Sequence, residues 1–265
     1  MKVMKKEEKA PVAATSVAKK SEGVENYFST LDLSALEVSM EEMLKAGVHF
    51  GHQKARRNPK MNRYIFTTKK SLNIIDLEKS AQKIKEALDF IAGLRKEGKN
   101  ILFVGTKPQI KNLVISAAEA SGMPYVVERW LGGTFTNFKN IRSRTRYLVE
   151  SQDKMEKGEF QKYTKFERMK MTEELEKMED RMGGIKHMSE LPAAIFATSI
   201  KEDRIAINEA QKMGIPVIAI ADTNTDPTLA DYPIPANDDA LSSVRLILSY
   251  ACKALATTAD VAAKK

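Results

Sequence analysis

The chain has 265 residues, 43% of them hydrophobic, which is enough to bury a sizeable core and excludes a peptide or a wholly disordered polymer. Its 43 Lys+Arg against 35 Asp+Glu give a formal charge of +8, so the natural partner is an acidic surface, nucleic acid above all. A single cysteine, Cys252, excludes an intrachain disulfide and a thiolate-clustered metal, and no apolar run approaches the ~20 residues of a membrane span, so a cytoplasmic protein without a membrane partner is expected.

Residues 1–38 carry Lys, Ala, Ser, Thr and Glu without an apolar period or a signal-peptide core, and a disordered N-terminal tail is expected. Ser39, with Glu41 and Glu42 behind it and Gly47 beyond, predicts a short helix. Four apolar segments of strand length follow, at Ile74-Ile75, Ile101 to Val104, Ala194 to Ala197 and Val217 to Ile220. They are continuous rather than alternating, the pattern of strands covered on both faces. Helical patterns over Ser80 to Leu94, Pro108 to Ala120 and Glu202 to Met213 lie between them, closed by Gly98, Gly122 and Gly214, and a further strand is expected at Tyr125 to Val127. Strand alternating with helix predicts an α/β fold with a doubly wound parallel sheet.

Phe138 to Met182 breaks that alternation. Phe138, Ile141, Thr145, Leu148, Gln152 and Met155 recur at three- and four-residue spacing, as do Met171, Leu175, Met178 and Met182 after Gly158. Two helices on one seam, a coiled-coil hairpin projecting from the domain, are predicted, with Gly183-Gly184 returning the chain. The expected division is a tail over 1–38, a discontinuous α/β domain over 39–137 and 183–250, an inserted hairpin over 138–182 and a C-terminal tail over 251–265.

Charge is clustered. Lys54, Arg56, Arg57, Lys60, Arg63, Lys69 and Lys70 fall between Gly51 and Lys70 with no acid among them. Lys139, Arg142, Arg144 and Arg146 open the hairpin after Arg129, Thr134 and Asn137, whereas Asp222, Asp226, Asp231, Asp238 and Asp239 suggest an acidic far end. A solvated face would mix signs; these runs suit phosphates, which the arginine fork grips in pairs.

Signals for chemistry are weak. Gly105-Thr106-Lys107 follows a strand where α/β domains hold phosphates, yet matches neither nucleotide-loop pattern, so a tight turn with a Lys107 contact to RNA is the expectation. His49 and His52 have no carboxylate or thiol near them in sequence, Asp222 suits a turn, and Cys252 has no paired histidine, so neither metal nor cofactor is expected. The alternative is a nucleotide-binding enzyme using Gly105, Lys107 and Asp222.

The segments AGVHFGHQ, RRNPKM with YIF, NIIDLEKS, ILFVGTKPQ, RWLGGTFTNF, GGIKHM with LPAAIF, GIPVIAIADTN and IPANDDA, in order from Met43 to Leu248, resemble the bacterial small-subunit ribosomal protein S2 family. The resemblance implies a flavodoxin-like α/β domain with an inserted helical hairpin. It also implies a non-enzymatic protein that binds rRNA at the head-body junction on the solvent side, joins late and helps recruit the mRNA-binding protein S1, with no homo-oligomer. Carried over, the family's basic loop falls on Gln53, Lys54, Arg56, Arg57, Asn58, Lys60 and Met61, and its aromatic-glycine motif on Arg129, Trp130, Leu131, Gly132, Gly133, Thr134 and Asn137. The chain departs from the family pattern in its longer tail before Ser39, at Thr198-Ser199-Ile200, at Thr228-Leu229-Ala230 and at Ala236.

Overall fold

The computed structural model describes Phe28 and residues 38–262. Its centre is a five-stranded parallel sheet in the order β5 (Tyr125–Val126), β4 (Ile101–Val104), β6 (Ala194–Ala197), β7 (Val217–Ala221) and β8 (Tyr232–Pro235). Alternate residues of the central strands serve two different cores. Phe103, Phe196, Ile218 and Ile220 enter one buried cluster, and Leu102, Val104, Ile195, Ala197, Val217 and Ala219 the other. Both faces of each strand are therefore buried, which is why the strands read as unbroken apolar runs.

The first core is closed by α2 (Leu77–Lys96), α3 (Lys111–Ser121) and α7 (Leu241–Ala262), and the second by α6 (Arg204–Met213) with the 130–141 segment. The fold is thus the doubly wound α/β arrangement. α1 (Met40–Lys45) begins as the sequence predicts, the Ser39 hydroxyl accepting from the Glu42 amide at 3.4 Å.

Three expectations need correction. Ile74-Ile75 is not in the parallel sheet: it belongs to β3 (Leu72–Ile75), the middle strand of a small antiparallel sheet with β1 (Phe50–Gln53) and β2 (Ile65–Lys69). There the pattern is one-sided, Asn73 and Ile75 being buried and Leu72 exposed. The fifth parallel strand is β8, whose Pro233 and Pro235 mask it; prolines fit an edge strand because one flank has no partner to receive an N–H bond. Residues 251–255 are not a tail either: α7 carries Ala251, Cys252, Ala254 and Leu255 into the first core. The expected N-terminal tail lies outside the described residues except at two points. Phe28 is buried in the same core and Val38 packs against it.

The hairpin consists of α4 (Phe138–Glu156) and α5 (Lys165–Met182). Ile141, Thr145, Leu148, Leu175 and Met182 are buried, and Gln152 Nε2 donates to Glu179 Oε2 at 2.8 Å across the seam. Met155 is 42% exposed, so the seam loosens toward its far end. The chain then returns through Gly184, whose backbone lies directly against the carbonyl oxygen and ring of Tyr125.

Candidate nucleic-acid interface

The basic loop is a built platform. Residues 54–64 form two short 3-10 turns, the second capped by Asn58, whose side chain accepts from the Lys60 amide at 2.9 Å. Met61 and Tyr64 are buried in the second core and anchor it. The Asn58 amide donates to the Thr223 carbonyl at 2.8 Å, and the His52 amide to Thr223 Oγ1 at 2.8 Å. At Gly51 the two segments approach so closely that a Cβ would lie 2.5 Å from Thr223 Cγ2. The β2–β3 turn sets Lys70 and Ser71 at φ 48° and 63°, left-handed conformations that hold Lys69 and Lys70 outward at its tip.

Gln53, Lys54, Arg56, Arg63, Lys69 and Lys70 are exposed and Arg57 half-buried; Arg63 also lies over the Tyr64 ring at 4.8 Å. Along α4 and the loop before it, Arg129, Asn137, Lys139, Arg142, Arg144 and Arg146 are exposed. Of the candidate cations, only Lys60 and Lys107 are paired with carboxylates among the described residues. Asn58 Oδ1 is occupied as a cap. Thr134 is 2% exposed, its hydroxyl donating to the Leu131 carbonyl at 2.6 Å, so it has no hydrogen to offer a ligand.

The acidic residues are not a far end. Lys60 Nζ lies 2.6 Å from Asp226 Oδ2, and His52 Nδ1 lies 2.9 Å from Asp222 Oδ2 with Nε2 3.4 Å from Asp239. The fold thus brings the acid-rich loops after β7 and β8 under the basic platform. The hydrogen bond to Asp222 raises the His52 pKa, burial opposes, and the charges of Asp222, Asp239 and Asp238 add to the rise. His52, Asp222 and Asp239 offer ligand atoms within 4.8 Å of one another. Asp222 also takes the Thr223 amide, so the group satisfies itself as an ion-paired cluster and no metal is assigned to it. His49 packs on Phe50, ring centroids 4.0 Å apart.

The switch point between β4 and β6, where doubly wound sheets hold phosphate, is filled from within. Asp203 Oδ1 accepts from Thr106 N at 3.1 Å and Thr106 Oγ1 at 2.9 Å, and Oδ2 from Ser199 N at 3.2 Å and Thr198 Oγ1 at 3.4 Å. Burial pushes its pKa up against those bonds. Lys107 is drawn away to Asp238 and Asp239, at 2.9 and 2.8 Å. Burial alone would lower its pKa, but these carboxylates outweigh it and raise it. Gly105 is pressed between Val114 and Thr198. Gly105, Lys107 and Asp222, the candidates for a nucleotide site, are thus all engaged in internal contacts.

Sequence reading missed Glu209. Its carboxylate receives the Trp130 indole N–H at 3.2 Å and the amides of Gly133 and Phe135 at 2.7 and 3.0 Å, so it holds the aromatic-glycine loop together. The available signal was an acid set among the apolar positions Ala206, Ile207 and Ala210 of α6.

A doubly wound sheet with its phosphate site plugged, a cationic platform and a basic hairpin describe a structural protein rather than a catalyst. The family model "Ribosomal protein S2" matches residues 43–258. Two curated relatives, each named small ribosomal subunit protein uS2, come from Roseiflexus sp. and Roseiflexus castenholzii. Each is 48% identical over 210 residues, covering 79% of this chain and 80% of the relative. The chain belongs to the ribosomal protein S2 family: it is a structural component of the small ribosomal subunit, it is not an enzyme, and its place is the cytoplasmic ribosome. No helix among the described residues is long and apolar enough to cross a membrane.

Proposed function

We propose that the chain binds small-subunit rRNA through two surfaces, the platform of Lys54, Arg56, Arg57, Arg63, Lys69 and Lys70 and the hairpin base with Arg129, Lys139, Arg142, Arg144 and Arg146. Neighbouring small-subunit proteins are its further contacts, and it acts by positioning RNA and a partner at the head-body junction on the solvent side. The observation that carries the reading is that the arginines of both clusters, Arg57 half-buried and the rest exposed, have no carboxylate partner among the described residues and sit on elements anchored by buried side chains. Lys107 and Thr134 leave the proposed surface because their donors are spent internally, and the Asn58 carbonyl oxygen is occupied as a cap. Recruitment of protein S1 is the second half of the proposal. It is supported by an exposed apolar group on the outer sheet, Phe50, Phe66 and Leu72, of the kind a protein partner covers.

The test is salt-dependent binding to small-subunit rRNA. Replacing Arg56 and Arg57 together by Ala removes about two phosphate contacts, and the log-log salt slope falls by about 1.4 to 1.8. An unchanged slope removes the platform from the interface.

A further inference from the structure

α6 turns one carboxylate toward the loop that opens the hairpin, in a region otherwise rich in cations. Glu209 Oε1 accepts from Trp130 Nε1 at 3.2 Å and Gly133 N at 2.7 Å. Oε2 accepts from Phe135 N at 3.0 Å, Thr136 N at 3.4 Å and Thr136 Oγ1 at 3.5 Å. The side chain is 8% exposed. Gly133, at φ +92°, bends the backbone so that these amides converge, the concave array of N–H groups that elsewhere binds a phosphate. Here the protein supplies the anion itself. An apolar residue at 209 would leave the amides of Gly133, Phe135 and Thr136 without this partner. Packing alone therefore does not account for the acid.

What the loop fixes is the start of α4. Directly after the bend, the Asn137 amide donates to the Gly133 carbonyl at 2.8 Å and the helix begins at Phe138. Arg142, Arg144 and Arg146 are exposed within its first three turns. We infer that Glu209 is a positioning residue: its carboxylate, clasping Trp130, Gly133, Phe135 and Thr136, sets the direction in which α4 leaves the domain and so where those arginines meet RNA. This rests on the reading of the chain as an rRNA-binding protein, and it gives a buried acid a purpose in a basic interface.

The experiment compares the full-length protein with Glu209→Gln. Trp130 is the single tryptophan, so its emission and its one indole N–H resonance report the clasp directly. In the variant both shift, and the Gly133 and Phe135 amides exchange about ten- to a hundredfold faster, the loss expected for hydrogen bonds to a charged acceptor. The amides of Phe103 and Phe196 in the central sheet keep their protection. Affinity for small-subunit rRNA falls about tenfold, although the substitution removes a negative charge and simple electrostatics would strengthen binding. Gly133→Ala is the second variant: it disturbs the same array with every charge retained, and it gives the same loosening and the same loss even if Glu209→Gln does not fold. Loop amides as protected in Glu209→Gln as in the parent overturn the inference. So does a freed loop, in either variant, with parental rRNA affinity, provided Arg56→Ala/Arg57→Ala does weaken binding. If the parent protein binds no rRNA, the rRNA reading falls with the inference, and the indole and amide signals still decide whether Glu209 holds the loop.

Discussion

Replacing Leu148 by Ala is expected to open the hairpin while leaving the α/β domain folded. Leu148 is fully buried, and with Leu175, 6% exposed, it forms the apolar middle of a seam whose other buried members include Thr145 and Ser151. Neither leucine belongs to either core of the domain, whereas Ile141 and Met182, at the hairpin base, do. Deleting a buried leucine to alanine costs about 2 to 5 kcal/mol. If that cost falls on hairpin opening alone, the open population rises about thirty- to a few-thousand-fold. Limited trypsin digestion reads this directly, because α4 and α5 are dense in exposed Lys and Arg and, where opening and closing are fast relative to cleavage, the cutting rate follows the open population. The variant should be cut between residues 139 and 181 at least tenfold faster, while amides of β4, β6 and β7 keep their exchange protection. Cutting at the parental rate, or equal loss of protection in the central sheet, would show that the hairpin is not an independently opening unit.

Four further outcomes follow from the same geometry. Gly184→Ala places a Cβ against the carbonyl oxygen and ring of Tyr125 and should cost about 1 to 3 kcal/mol in chemical denaturation. Gly132→Ala meets nothing within 4 Å and should stay within about 0.5 kcal/mol of the parent. His52 has a folded pKa raised above 6.5 by its hydrogen bond to Asp222, so its contribution is complete below pH 6.5 and lost as pH rises through the folded value. Melting temperature should therefore fall over that window, and His52→Gln should flatten the fall. Burial would raise the Glu209 pKa, but the bonds from Gly133, Phe135, Trp130 and Thr136 hold it below 4.5. Its contribution is present above pH 4.5 and lost as pH falls through the lower folded value, so Trp130 emission should be constant down to pH 4.5 and change only below it.

Local patterns were legible in the sequence and long-range pairings were not. Ile101 to Val104 and Val217 to Ile220 announced buried strands because both their neighbours are apolar layers. Ile74-Ile75 has the same composition but a different fate, since a short apolar pair cannot say whether its other face meets solvent. β8 was hidden by prolines tolerated only because it is the last strand of the sheet. The end of α7 was misread as a tail because small residues such as Ala251 and Ala254 carry little hydrophobic signal yet fit close against neighbouring helices. The cationic runs were visible because charge is a property of composition. The partners of Glu209 and Asp203 were not legible, because each binds a backbone amide more than seventy residues away; for Glu209 the sequence offered only an acid on an apolar helix face.

The placement of the acids explains how one edge of the fold can be both basic and well ordered. A loop carrying Lys54 to Lys70 with no internal acid repels itself, and left alone it would spread into solvent. The loops after β7 and β8 counter this with carboxylates aimed at selected partners, His52, Lys60 and Lys107. Within the proposed surfaces the arginines Arg56, Arg57, Arg63, Arg129, Arg142, Arg144 and Arg146 take no such partner among the described residues. This division follows the chemistry of the side chains. Lys54, Lys69, Lys70 and Lys139 are outward as well, so the division is not strictly by residue type. Yet every cation these loops take inward is a lysine or histidine, a compact point charge, and none is a guanidinium fork, which is worth most where it meets phosphate in two parallel hydrogen bonds. Net charge alone therefore does not describe this edge: Lys60 and Lys107 are neutralised in building the platform, and the cations left outward are those assigned to the proposed RNA surface.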